Sequence, residues 1–131
     1  MMSDDGKISW RQLREFADVD LTRSFVLSWH TEGETLVIDI DLYLEAGHAF
    51  YEKPRPAEKI CIRPASIEFP HCERLQTDVV DSDEVVKITG KLGHGAIDDL
   101  NVLDGGRYAI SGEFGTVSVI AERPILRLKG P

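Results

Sequence analysis

Cysteine is scarce: two residues, Cys61 and Cys72, stand with ten residues between them in a chain of 131. A disulfide-stapled miniature fold is thereby excluded. A chain of this length buries a core without staples, so both thiols are expected to be free in a reducing cytoplasm. Close ligand pairs are missing as well. His30, His48, His71 and His94 are scattered, and His71 and Cys72, being adjacent, would point to opposite faces of an extended segment, so neither a metal nor a cofactor is expected. No apolar run approaches a membrane span, and the polar segment Met1–Lys7 has neither the basic nor the apolar region of a secretory signal. That segment is expected to be a flexible lead-in to one domain covering residues 1–131. Positive charge is also in deficit: 15 Lys and Arg against 23 Asp and Glu leave a net charge of -8. Nucleic acid is therefore an unfavourable partner, since affinity for phosphate backbones comes from cations that displace counterions. Gly90, Gly93 and Gly95 follow the order G-x-x-G-x-G without a helical pattern behind them, and no G-x-S-x-G elbow is present.

What the sequence does contain is alternation of apolar and polar residues, strongest at Phe25–Leu44 and Leu100–Ala121. Period two marks strands with one buried face. A turn centred on Glu32 and Gly33 would set Trp29 opposite Leu36, Leu27 opposite Ile38 and Phe25 opposite Ile40, leaving Ser28, His30, Thr35, Asp39 and Asp41 on the other face with Val26 and Val37 as apolar exceptions. Leu42 and Leu44 continue the buried parity. A turn at Gly115 and Thr116 would pair Phe114 with Val117, Gly112 with Val119 and Ile110 with Ala121, while the turn at Asp104–Gly106 keeps Leu100 opposite Ile110 and Val102 opposite Tyr108. The expected core is thus Phe25, Leu27, Trp29, Leu36, Ile38, Ile40, Ile110, Phe114, Val117 and Val119.

Around these hairpins, Ser9 and Gln12 fit a capping box that opens a short helix over Trp10–Ala17. Further strands are expected at Ile60–Arg63, Ser66–Phe69, Val85–Leu92 and Ile125–Lys129, with a bend, a bulge or an edge at Pro64 and a solvated acidic loop over Thr77–Glu84. The expected fold class is mainly β: an antiparallel sandwich or partly open barrel of eight or nine strands with one short N-terminal helix.

Two places break the pattern and so attract functional readings. The long loop Glu45–Lys59 gathers His48, Phe50, Tyr51, Lys53 and Arg55, an aromatic and basic mixture in an acidic chain. Asp39 and Asp41 share the solvent side of a strand at a spacing of roughly 7 Å, as any acidic strand face would place them. Asp98 and Asp99 near His94 form a second acid–base grouping.

The strand SFVLSW (24–29), the extended IDIDLYL (38–44), Phe69 and the hairpin SGEFGTV (111–117) together resemble a group of short, uncharacterised bacterial proteins, a domain of unknown function, over most of the chain. This resemblance implies a shared framework and carries over no catalytic residue. In size and charge alone, the chain is also similar to immunity proteins that neutralise toxins. The reading is a non-enzymatic interaction module, cytoplasmic, whose protein partner is basic and which presents Asp39 and Asp41 or the loop. The alternative is a small-ligand binder or enzyme with a pocket at the open end of the sheet near Phe50, Tyr51, His94 and Asp98. A homodimer partly served by the buried face is a further expectation, left open by the exposed strand edges.

Overall fold

The computed structural model describes residues 8–53 and 61–129. Its ten strands are β1 (Ile8–Ser9), β2 (Val19–Glu32), β3 (Thr35–Leu44), β4 (Cys61–Phe69), β5 (Arg74–Gln76), β6 (Asp81–Ser82), β7 (Gly95–Leu103), β8 (Arg107–Gly112), β9 (Gly115–Ile120) and β10 (Ile125–Leu128). They form one antiparallel sheet in the order β10-β4-β3-β2-β7-β8-β9-β5-β6, with β1 added to β7. The expected mainly β fold is therefore present. Two of the ten strands, β1 and β6, are pieces of two residues each. The sheet stays open, since β10 and β6 do not pair.

Strand β7 joins the two halves of the sheet. Its first residues, Gly95 and Ala96, pair with Val26 and Phe25 of β2, whereas Ile97–Leu103 pair with β8. Asp98 is the extra residue between the Ile97↔Gly112 and Asp99↔Ser111 pairs, and such a bulge bends its strand. The halves consequently face each other across one core, where Phe69 of β4 meets Tyr108 of β8 with ring centroids 5.2 Å apart. Residues of every strand from β2 to β5 and from β7 to β9 contribute buried side chains to that core.

The first hairpin differs in register from the expectation. Its turn is Gly33–Glu34, with Glu32 opposite Thr35 and Gly33 at φ 62, the positive value that a two-residue turn of type II′ demands at its first position. Trp29 consequently faces Ile38, and Ser28 faces Asp39, while Val26 faces Ile40 and leaves Leu27 as an unpaired extra residue. This bulge reverses the parity of the strand. Val26 enters the core at 1% exposure, whereas Phe25 and Leu27, expected inside, are 48% and 51% exposed. A second irregularity lies between Asp20 and Phe25, where the buried Ser24 hydroxyl donates to Asp20 O and accepts from Tyr43 N, replacing a lost ladder bond. On β3 the alternation is read correctly: Leu36, Ile38, Ile40, Leu42 and Leu44 are all buried.

In the second hairpin the turn is Glu113–Phe114, two residues earlier than expected, so Ile110 faces Val117 and Tyr108 faces Val119. The partner shift is even, and the core face survives: Ile110, Val117 and Val119 are buried, and Phe114 packs on the core as part of the turn. The pairs Leu100↔Ile110 and Val102↔Tyr108 stand as expected.

Four other segments also take a different form. The helical start is two single 3-10 turns, Trp10–Gln12 and Arg14–Phe16, separated by Leu13 in extended conformation, and the Ser9 hydroxyl accepts from Arg11 N rather than completing a capping box. On a continuous α-helix Trp10 and Phe16 would lie about 120° apart around the axis. The break lets both enter the core at 2% exposure, in edge contact at 6.4 Å. Val85–Leu92 is not a strand: Val85–Thr89 forms the α-helix α1, which buries Val85 and Ile88 three residues apart. Pro64 does not divide β4, because it pairs with Asp41 on one side and β10 pairs only as far as Ala65 on the other. Within Thr77–Glu84, Asp81 and Ser82 pair with β5, and Asp81 holds Arg74 at 2.5 Å, raising the guanidinium pKa first by that hydrogen bond and then by charge.

Candidate functional site

The residues singled out in the sequence do not converge. Asp39 is largely enclosed on the outer face of β3: its carboxylate accepts from Lys129 Nζ at 2.6 Å and Ser28 Oγ at 2.9 Å and lies 3.1 Å from His30 Nδ1. Burial alone would raise its pKa, but the hydrogen bonds from Lys129 and Ser28 and the charges of Lys129 and His30 outweigh it and hold the carboxyl below its ordinary 3.8. Ser28 donates to Asp39 while His30 Nε2 contacts Glu32 at 3.0 Å, so this serine, histidine and aspartate do not align a nucleophile with its base. Asp41 is half-buried between Phe25 and Pro64 in register. The acidic strand face is therefore internally neutralised at Asp39.

A carboxyl with a depressed folded-state pKa adds stability that is full above its unfolded value and is lost as pH falls through its folded value. Asp39→Asn should accordingly lower stability at pH 7, and the gap to the wild type should close as pH drops below about 4. Urea titrations at several pH values measure this. A gap independent of pH would show that the Lys129 and Ser28 contacts do not favour the charged form.

In the loop after β3, the His48 and Phe50 rings lie 5.9 Å apart, and His48 Nδ1 accepts from Phe50 N. Phe50 is 63% exposed, Tyr51 packs against the core, and Lys53 is exposed. Arg55 lies outside the described residues. Tyr51 lines a depression with Asp20, Arg23, Tyr43 and Glu45, whereas His94 and Asp98 sit at the start of β7, beside the pairing of Gly95 with Val26. Among the described residues, the depression lined by Tyr51 includes none of Phe50, His94 and Asp98, the other residues expected to share a pocket with it. The cysteines are separated likewise. Cys61 pairs with Leu44 at one end of β3, and Cys72 N donates to Glu34 O at the other, about 30 Å along the strand.

That far end of β3 holds a groove of about 420 Å³ that sequence reasoning missed. Three segments build it: the β2–β3 tip with Thr31, Gly33 and Glu34; the β4–β5 connection with His71, Cys72 and Glu73; and Asp83–Val86, which leads into α1. Backbone bonds hold the walls in place, from Cys72 N to Glu34 O at 2.8 Å, Glu73 N to Ile120 O at 2.8 Å and Lys87 N to Glu84 O at 3.0 Å.

Four carboxylates, Glu34, Glu73, Asp83 and Glu84, line the groove. Against them stand the His71 imidazole, 3.1 Å from Glu34 and 3.8 Å from Glu122, and Lys87, which pairs with Glu84 at 2.5 Å. Val86 projects at 66% exposure. Burial pushes the Cys72 thiol up to about 11, with the charge of Glu73 adding to it and a bond to Arg74 O opposing, so it remains a neutral thiol near pH 7. What the groove offers chemically is negative charge and apolar contact. Among the described residues no group of three or more His, Cys, Asp or Glu side chains is placed to hold a metal ion. Nor is any helix among them long and apolar enough to cross a membrane.

Fold and groove together define an open antiparallel β domain with an acidic groove at one end. The chain matches no known protein family, no curated protein and no solved structure.

Proposed function

We propose that this protein is a non-enzymatic interaction module of the cytoplasm that binds a basic protein partner through the groove between the β2–β3 tip and α1. One observation carries the reading: four lining carboxylates, of which Glu84 is paired with Lys87, surround an accessible cleft with an exposed valine at its rim, in a chain of net charge -8. Like-charged groups held together at a surface raise the local negative potential and steer cationic partners. The wide separation of Cys61 and Cys72 fits a protein that works with reduced thiols. A basic toxin is one partner of this chemistry, in keeping with the size and charge likeness to immunity proteins.

Photo-crosslinking in the native host tests the reading. A crosslinker at Val86 should capture a protein of basic surface, and the same group at Asn101, on β7, should not. Glu34→Lys with Asp83→Lys should abolish the capture while leaving the far-ultraviolet spectrum unchanged. Equal capture from both positions, or none from Val86 with the protein folded, would overturn the proposal.

A further inference from the structure

We infer that the partner enters this groove as an extended segment, adding a short β-strand to the open edge of β2 at Thr31; the inference rests on the interaction reading above and specifies its mode. The β2–β3 ladder fixes the direction of each peptide group. A two-residue turn makes its flanking residues, Glu32 and Thr35, a hydrogen-bonded pair, and such pairs alternate, so His30 and Ser28 also bond toward β3. Thr31 and Trp29 therefore direct their N–H and C=O groups away from β3.

On that side β2 is covered only in part. Strand β7 pairs with it at Phe25 and Val26 and no further. Next to Trp29 runs the chain that follows α1, where Gly93 O accepts from Trp29 Nε1 at 2.6 Å. Thr31 lies past this cover and lines the groove. Among the described residues, neither its N–H nor its C=O takes part in a backbone pair or a side-chain hydrogen bond on that side.

An exposed strand edge with unpaired donors and acceptors is a template for an incoming strand, whose main chain supplies affinity and whose alternate side chains supply selectivity. Here the surroundings select the occupant. A Lys or Arg on the added segment has Glu34, Glu73, Asp83 and Glu84 around it, and Val86 offers apolar contact at the rim. An acidic segment is repelled by Glu34, Glu73 and Asp83, Glu84 being already paired with Lys87. The ligand class is thus an extended, Lys- or Arg-bearing stretch of polypeptide.

The test uses the full chain, isotope-labelled for NMR, and a capped seven-residue peptide of alternating Thr and Lys. Binding should shift the amides of Thr31, Gly33 and Glu34. Methylating the backbone nitrogens of one alternating set of peptide residues should weaken binding at least about tenfold, whereas methylating the other set should not, because a strand faces its neighbour with every second amide. Replacing Lys by Glu should abolish binding. If both methylated peptides bind as tightly as the parent, strand addition is overturned while recognition of basic partners stands. Strand addition is overturned alone, too, if the peptide does not bind yet Val86 still captures a basic protein. Concentration-dependent shifts at Thr31 in the free protein would assign the edge to a second copy instead and overturn the peptide mode. Failure of peptide and capture together overturns both proposals.

Discussion

Trp29→Ala is expected to cost about 3–5 kcal/mol of unfolding free energy, and Leu27→Ser, two residues away on the same strand, less than about 0.5 kcal/mol. Trp29 is 6% exposed, faces Ile38, meets the Phe114 ring edge-on at 5.5 Å and donates from Nε1 to Gly93 O at 2.6 Å. Its removal opens a cavity, strips an aromatic contact and leaves the Gly93 carbonyl without its donor. Leu27 and Phe25 face solvent at 51% and 48% exposure, so truncating them removes little buried surface. Chemical denaturation of Trp29→Ala, Leu27→Ser and Phe25→Ser gives the comparison. Comparable losses at Leu27 and Trp29 would mean that β2 has no bulge and that its odd-numbered residues all face inward.

Gly112→Ala should destabilise by about 3 kcal/mol, at the upper end of what overpacking costs. Gly112 ends β8 where that strand crosses the start of β7, and its backbone passes so near Ala96 that an added Cβ would collide with the Ala96 carbonyl oxygen and come within 2.8 Å of the Phe114 ring. That carbonyl is already engaged, accepting from Glu113 N at 3.0 Å, while Glu113 Oε1 takes the Ala96 N–H at 2.6 Å. Moving it aside would disturb the Glu113–Phe114 turn, the Trp29–Phe114 contact and the joint between the sheet halves together. Gly90→Ala is the control: Gly90 sits at φ -69 with open space where a Cβ would go, and its replacement should change stability by less than about 1 kcal/mol. A neutral Gly112→Ala would show that β8 and β7 can separate at this point without cost.

These two sites mark where the sequence was legible and where it was not. Alternation on β3 identified its core face because every residue there keeps to one regular pairing with β4, from Leu36 to Leu44. On β2 the same signal failed through a single unpaired residue. Of the two apolar exceptions, Val26 was the visible trace of the bulge, which turns it into the core at 1% exposure. The shift in the second hairpin was harmless to the face because it was even. Val85–Thr89 misled because β-branched residues favour strands, and five residues are too few for helical periodicity to show.

The groove had no local signature. Its walls come from Thr31–Glu34, His71–Glu73 and Asp83–Val86, and the last of these straddles what reads in sequence as the end of a solvated acidic loop, Asp83 and Glu84, and the start of a strand, Val85 and Val86. Conversely, Asp39 reads as a free surface acid, yet a lysine 90 residues further along the chain neutralises it. Taken alone, the sequence determined the all-β class, the core faces of β3, β8 and β9, and the net negative charge, because periodicity and composition are local sums over residues. The tertiary structure alone decided which acids are neutralised by a distant cation, which line the groove, and where a strand edge stays unpaired. Charge neutralisation and hydrogen-bond pairing are settled between segments that meet only when the sheet folds over on itself.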